Sequence, residues 1–144
     1  MDFIAENKNQ TNRLRALTDI ITRNWKTDVG AGWTVGTMLC HVAFWDKVRK
    51  VSIDRWIESG ELPPNLEIEN VHRLNESLRA MSETIPAEAG LHFALACAEE
   101  IDRQVESLQP VQIQELENSG RERWFRRHLH RKAHLDRIES ALSA

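Results

Sequence analysis

Apolar residues recur at the spacing of an amphipathic helix along most of the chain. A first helix is predicted over roughly 3–25, where the pattern is carried by Leu14, Leu17, Ile21 and Trp25. The next segment, TDVGAG, is typical of a loop. A second helix is predicted over roughly 35–59, because Thr34 can cap its start and Gly60 suits the position just past its end. Apolar residues surround much of this helix, which indicates that it lies at the centre of the fold.

The second half of the chain continues the helical pattern after a long connection. The paired prolines in ELPPNLEIEN cannot continue a helix. A shorter helix is predicted over 67–81, and a long helix begins near Pro86 and ends at Pro110. The last helix is predicted to start near Gly120 and to run toward Leu142. Since no run of alternating residues predicts a strand, the expected fold is an all-α four-helix bundle. It has a long connection after the second helix, with or without a short extra helix.

The composition is typical of one globular domain, expected here over residues 1–144. Hydrophobic residues make up 41% and charged residues 28% of the chain. The net charge of −3 gives no overall attraction to nucleic acid or to an anionic membrane, so neither partner is expected. The N-terminal residues lack an apolar signal region, and a cytoplasmic location is expected. Cys40 and Cys97 lie in apolar helical patterns and are expected to pack in the core.

The segment RRHLHRKAHLDRIE, near the end of the chain, carries three histidines. His130 and His134 are one helical turn apart on a face that becomes apolar at Ile138 and Ala141. His128 lies on roughly the opposite side and is expected to be a surface or packing residue. A pair of imidazoles can chelate a metal ion, and a third ligand would complete the set that is usual in a catalytic zinc site.

His41 is the leading candidate for the third ligand. Its helix face also carries Met38, Trp45 and Val48. A histidine in so apolar a setting needs a partner for its ring nitrogens, and facing helices of a bundle bring distant positions together. The alternative is that His41 is a hydrogen-bonded core residue and that the HxxxH pair has no function. His92 is the substitute ligand, and His72 is expected to be exposed.

Three segments occur in a characteristic order: WTVGTMLCHVAFWD, the Asn-containing VHRLNESL, and HRKAHLDRIESAL. Together they resemble the DinB/YfiT-like superfamily of metal-binding four-helix-bundle proteins, over nearly the whole chain. The first is similar to the segment with that family's first histidine, and the last to its closing HxxxH helix. The resemblance implies a DinB-like bundle with His41, His130 and His134 as metal ligands. It also implies a homodimer, and chemistry that often depends on a low-molecular-weight thiol such as mycothiol or bacillithiol.

The ligand set and the resemblance together favour a metal-dependent enzyme. Three neutral imidazoles leave a divalent ion its full charge, which favours deprotonation of a bound thiol or water. Zinc is the first choice of metal, and nickel would also suit imidazole ligands. The main hypothesis is a small-thiol-dependent transferase or isomerase with a metal-activated thiolate. Its rivals are a metal-dependent hydrolase and a non-catalytic binding or sequestration protein on the same bundle.

The charged residues near the histidines have two interpretations. The basic segment RERWFRRHLHRK is either a solvated helix face or, in part, a substrate site. Arg127 lies near the stripe of His130 and could bind a substrate carboxylate in bidentate geometry at the mouth of the site. Acidic candidates for orienting the ligand imidazoles, each also compatible with simple solvent exposure, are Asp46, Glu99, Glu100 and Asp136.

Tryptophans at or near predicted helix ends could contribute to the expected homodimer. An exposed aromatic side chain is well suited to an interface. The alternative is that these side chains close the ends of the bundle. The residues concerned are Trp25, Trp33 and Trp56.

Overall fold

The computed structural model describes residues 2–143, and this part of the chain forms seven α-helices and one small β-hairpin. The helices are α1 (Phe3–Ala16), α2 (Thr18–Arg23), α3 (Val35–Ser59), α4 (Ile68–Ser82), α5 (Ala87–Glu106), α6 (Pro110–Asn118) and α7 (His128–Leu142). The antiparallel hairpin pairs β1 (Asp28–Gly30) with β2 (Trp33–Thr34). The prediction of an all-α fold is confirmed. None of the described helices combines the length and the apolar content needed to cross a membrane.

The central position predicted for the second helix is confirmed for α3. The Thr34 side chain accepts a hydrogen bond from the Thr37 backbone N–H, and the Thr37 hydroxyl accepts one from the Thr34 N–H, which closes a capping box. Gly60 ends the helix in the left-handed region at φ 79°. Between these ends, α3 packs against α4, α5 and α7, and its first half is buried on nearly every side.

The prediction of one helix over 3–25 is wrong, because the helix is interrupted at Leu17, between α1 and α2. Leu17 takes φ −90° and ψ 3°, and its N–H still bonds to carbonyls of the last turn of α1. Leu14 and Ile21, on either side of this position, are both buried in the same core cluster. The TDVGAG segment predicted as a loop contains β1 and the tight turn of the hairpin.

The start predicted for the last helix, near Gly120, is also wrong. The chain forms α6 directly after Gln109, with Pro110 in its first turn, and Gly120 then takes φ 72°. A 3₁₀ turn over Glu122–Trp124 follows, and α7 begins only at His128. Trp124 and Phe125 are buried in this bend.

Two of the three tryptophans considered for an interface are buried within the chain. Trp25 donates its indole N–H to the Ile85 carbonyl at 2.9 Å. It also packs so closely that a Cβ at Gly36 would lie 2.4 Å from its ring. Trp56 belongs to a core cluster at the opposite end of the bundle. Both side chains therefore close the bundle, as the alternative interpretation has it, while the homodimer itself stays a prediction.

Candidate metal centre

The three histidines singled out in the sequence lie together in the structure. His41 comes from the first half of the central helix α3, and His130 and His134 come from successive turns of α7. The Nε2 atom of His130 lies 3.1 Å from Nε2 of His41 and 3.1 Å from Nε2 of His134. One ring nitrogen from each residue lies within 4.8 Å of the other two.

This spacing fits a metal ion held by three imidazoles. Zinc–nitrogen bonds of about 2.0–2.1 Å in a tetrahedron put ligand nitrogens about 3.3 Å apart. The two 3.1 Å separations are close to that value. Neither His41 nor His130 has a partner for Nδ1 among the described residues, so no protein group there fixes which ring nitrogen carries the proton.

The surroundings keep all three imidazoles neutral near pH 7. Burial, helped by His134, lowers the pKa of His41 to about 4, against a smaller opposing effect of Asn75. Burial and the nearby Arg137 lower the pKa of His134 to about 4. Burial, followed by the charge of Arg127, holds the pKa of His130 well below its usual value. Neutral imidazole is the form that binds metal ions, so the cluster is ready to bind without losing protons.

A buried ion-pair network beside the histidines joins α3 to α7. Asp46, five residues after His41 on α3, is fully buried, with 0% of its side chain exposed. Its Oδ1 accepts from Nε of Arg127 at 2.9 Å, and its Oδ2 accepts from Nε of Arg131 at 3.0 Å. Arg127 and Arg131 stand on either side of His130 in the chain. One carboxylate therefore holds the register in which His41 faces the two histidines of α7.

The same network extends to α1 and α5. Arg131 pairs with Asp102 at 2.8 Å and donates from Nη1 to the Thr11 hydroxyl at 3.0 Å. Asn7 donates to the Phe125 carbonyl at 2.8 Å and accepts from the His128 backbone N–H at 2.8 Å. The solvated-face interpretation of the basic segment is thus wrong for Arg131, which is 1% exposed. It is also wrong for Arg127, which is 3% exposed.

The remaining candidates from the sequence lie elsewhere. His128 is a buried packing residue, whereas His92 and His72 are exposed on α5 and α4. Cys40 and Cys97 are free and buried, and burial raises the pKa of each thiol to about 11. None of the four acidic candidates contacts an imidazole in the described part of the chain. Their partners are Arg127 and Arg131 for Asp46, Arg15 for Glu99, Lys47 for Glu100, and Arg13 and Lys132 for Asp136.

A cavity of about 280 Å³ opens beside the histidines. His41 and His130 form part of its wall, and the other lining residues are Trp45, Arg49, Val71, Asn75, Arg123 and Arg127. The Asn75 amide, on α4, accepts the indole N–H of Trp45 at 2.7 Å, so this wall is itself held in place. Because the histidine cluster lies beside an opening, a small molecule could reach it, whereas a structural metal site is usually closed.

Comparisons of the chain with family models, curated proteins and solved structures gave no match. They therefore leave the DinB/YfiT-like resemblance unconfirmed. What the structure shows is a helical protein with a buried three-histidine cluster that could hold a metal ion.

Two polar residues of the cavity wall, Arg49 and Asn75, are missing from the sequence-based predictions, although each had a local signal. Arg49 lies two turns after His41, on the same face of α3. Asn75 lies in the segment VHRLNESL, between the two histidine segments. Because Arg49 is in phase with His41 on one helix, a search for polar residues in that phase could have found it, whereas Asn75 lies on α4 and such a search does not reach it.

Proposed function

We propose that the chain binds one divalent metal ion through His41, His130 and His134, and that it is a metal-dependent enzyme. The convergence of three ring nitrogens supports this proposal most strongly. A neutral imidazole nitrogen carries either one hydrogen or one lone pair. Nε2 of His130 therefore cannot make two full hydrogen bonds to the two neighbouring Nε2 atoms. A cation between the three rings would use one lone pair from each.

The cavity supports a catalytic rather than a purely structural role. Structural zinc sites usually have four protein ligands, whereas catalytic sites have three and keep one position open. A divalent ion held here would act as a Lewis acid and favour the deprotonated form of a thiol or a water molecule. The protein's own contribution is to present three neutral imidazoles on rigid helices and to shape the opening beside them.

The finer proposal is a transferase or isomerase that uses a low-molecular-weight thiol, as the DinB/YfiT-like resemblance implies. Neither cysteine of the chain lines the cavity, and both thiols are held protonated by burial. A thiolate nucleophile would therefore have to come from a small molecule. A hydrolase would use the same opening for water, and a binding protein would use it without turnover.

Metal titration of protein carrying no histidine tag tests the site itself. Chelator-treated wild-type protein should bind about one zinc ion per chain in calorimetry. His134→Ala should weaken binding by more than about a hundredfold, since loss of outer groups alone costs 10–100-fold at metal sites. His92→Ala, which removes an exposed histidine of α5, is the matched control and should bind as wild type does. Equal affinity in wild type and His134→Ala would overturn the site.

Cobalt substitution separates the thiol hypothesis from its rivals. If a small thiol binds at the centre, titration of cobalt-loaded protein with 2-mercaptoethanol should produce a thiolate-to-cobalt charge-transfer band. The band should be absent in His134→Ala. Its absence in the wild type, with cobalt bound, would reject the thiol hypothesis and leave the hydrolase and the binding protein.

A further inference from the structure

Arg49 is a cationic side chain of the cavity wall without a carboxylate partner among residues 2–143. Its guanidinium carbon lies 5.7 Å from the ring centroid of Trp45 and 5.7 Å from that of Trp124. Two aromatic rings therefore hold the guanidinium in place through cation–π contacts. Its Nε is buried and has no hydrogen-bond partner in the described chain. The group is fixed in position, yet its donors are not all used.

Arg127 is a second lining residue with an unused donor. Its Nε donates to Asp46 and its Nη1 donates to the Arg123 carbonyl, at 2.9 Å in each case. Its Nη2 is buried without a partner among residues 2–143. The ion pair with Asp46 thus fixes the guanidinium but does not fill its hydrogen-bonding capacity.

The positive charge at this end of the network exceeds the negative charge. Among residues 2–143, the ion-pair partners of the guanidiniums of Arg49, Arg123, Arg127 and Arg131 are two carboxylates, Asp46 and Asp102. Burial lowers the pKa of Arg49 to about 10, and repulsion from the like charge of Arg127 is a smaller effect in the same direction. An anion bound at the cavity would relieve that repulsion and satisfy the unused donors.

We propose that Arg49 and Arg127 form an anion subsite, and that the small molecule handled at the metal centre carries a carboxylate or phosphate group bound there. The planar guanidinium matches both kinds of oxyanion. The volume of about 280 Å³ lies just below the usual range for small-molecule pockets, which suits a small ligand. The description of this molecule as a substrate rests on the proposed function; the subsite itself is made by residues outside the three histidines.

Anion binding to metal-free protein tests the subsite directly. Inorganic phosphate and malonate are the probes, at low ionic strength, with calorimetry and the fluorescence of Trp45 and Trp124 as readouts. Arg49→Met should weaken binding of the preferred probe by about tenfold or more, because a charge-assisted hydrogen bond is lost. Arg49→Lys should recover part of the loss, since lysine keeps the charge but not the fork. Arg55→Met, at an exposed arginine of the same helix, is the matched control and should leave binding unchanged.

A second pair of measurements separates this proposal from the metal site. Arg49→Met should keep zinc affinity within about threefold of wild type, because it removes no ligand. His134→Ala should weaken zinc binding by more than about a hundredfold and leave anion affinity of the metal-free protein unchanged. Preference for malonate would assign a carboxylate and preference for phosphate a phosphoryl group. Absence of binding by wild type, or equal binding by folded Arg49→Met and wild type, would overturn the subsite even if zinc binds as proposed.

Discussion

Two polar groups of residues lie side by side between α3 and α7, and they differ in where their partners come from. In the network of Asp46, Arg127 and Arg131, both carboxylate oxygens accept hydrogen bonds from the chain itself. In the histidine cluster, the rings turn toward one another, and the Nδ1 atoms of His41 and His130 have no described partner. A buried polar group whose partners lie within the chain stabilises one arrangement. A buried polar group without a partner in the chain can take its partner from a bound ligand.

Loss of Asp46 should cause the largest change. Asp46→Ala leaves Arg127 and Arg131 buried without their shared carboxylate, and we expect a loss of about 3–5 kcal/mol in the free energy of unfolding. Urea denaturation measures it. Asp54→Ala, at a half-exposed carboxylate of the same helix that pairs with Lys50, should cost less than about 1 kcal/mol. Equal stability of the two variants would remove the contrast between the network and an ordinary surface pair.

The histidine cluster should instead make the metal-free protein sensitive to acid. His41 titrates at about 4 in the folded chain, against an ordinary pKa of 6.5. Between these values the unfolded state binds more protons than the folded state, so stability rises with pH and is lost as pH falls from 6.5 toward 4. Protonation of His41 should lower the free energy of unfolding by on the order of 3 kcal/mol over this pH range. Unfolding measured from pH 7 to 4 in wild type and His41→Ala isolates it, and parallel curves would contradict it.

Zinc should stabilise the folded protein only when all three histidines are present. At a free zinc concentration about a hundredfold above the dissociation constant, the free energy of unfolding of wild type should rise by about 2.7 kcal/mol. At the same zinc concentration, His41→Ala should show no increase. A similar rise in both proteins would place the bound zinc elsewhere on the chain.

The smallest effect is expected at a neighbouring basic residue outside the network. Lys132 directly follows Arg131, but its ammonium is exposed and pairs with Asp136 at 2.7 Å. Lys132→Ala should cost less than about 0.5 kcal/mol, because exposed i,i+4 pairs on helices contribute little. Thermal unfolding measures the change. A loss comparable to that in Asp46→Ala would show that the network extends to the surface of α7.

The parts of the fold that could be predicted have local causes. Both ends of α3 follow from single residues, since Thr34 caps the start and Gly60 ends the helix. The break at Leu17 had no such signal, because neither glycine nor proline marks it and the apolar spacing continues across it. The sequence prediction treats Pro110 only as the end of a helix, although proline also suits the first turn of a helix, and α6 begins there.

In the candidate site, too, some features could be predicted from the sequence and others could not. The spacing of His130 and His134 and the apolar face of His41 predicted which histidines come together. The burial of Arg131 could not be predicted from residue spacing. Its partners Asp46 and Asp102 lie on α3 and α5, and the basic residues around it are typical of a solvated helix face. Only the packing of the helices shows that the guanidinium of Arg131, like that of Arg127, points inward.

Anomalous diffraction at the zinc absorption edge, from crystals of zinc-loaded protein without a histidine tag, tests the metal centre most directly. We predict one strong peak per chain, about 2.0–2.1 Å from a ring nitrogen of each of His41, His130 and His134. Crystals of His134→Ala grown with the same zinc concentration should lack that peak. A peak bound to other residues, or none at the three histidines in a zinc-saturated crystal, would contradict the account.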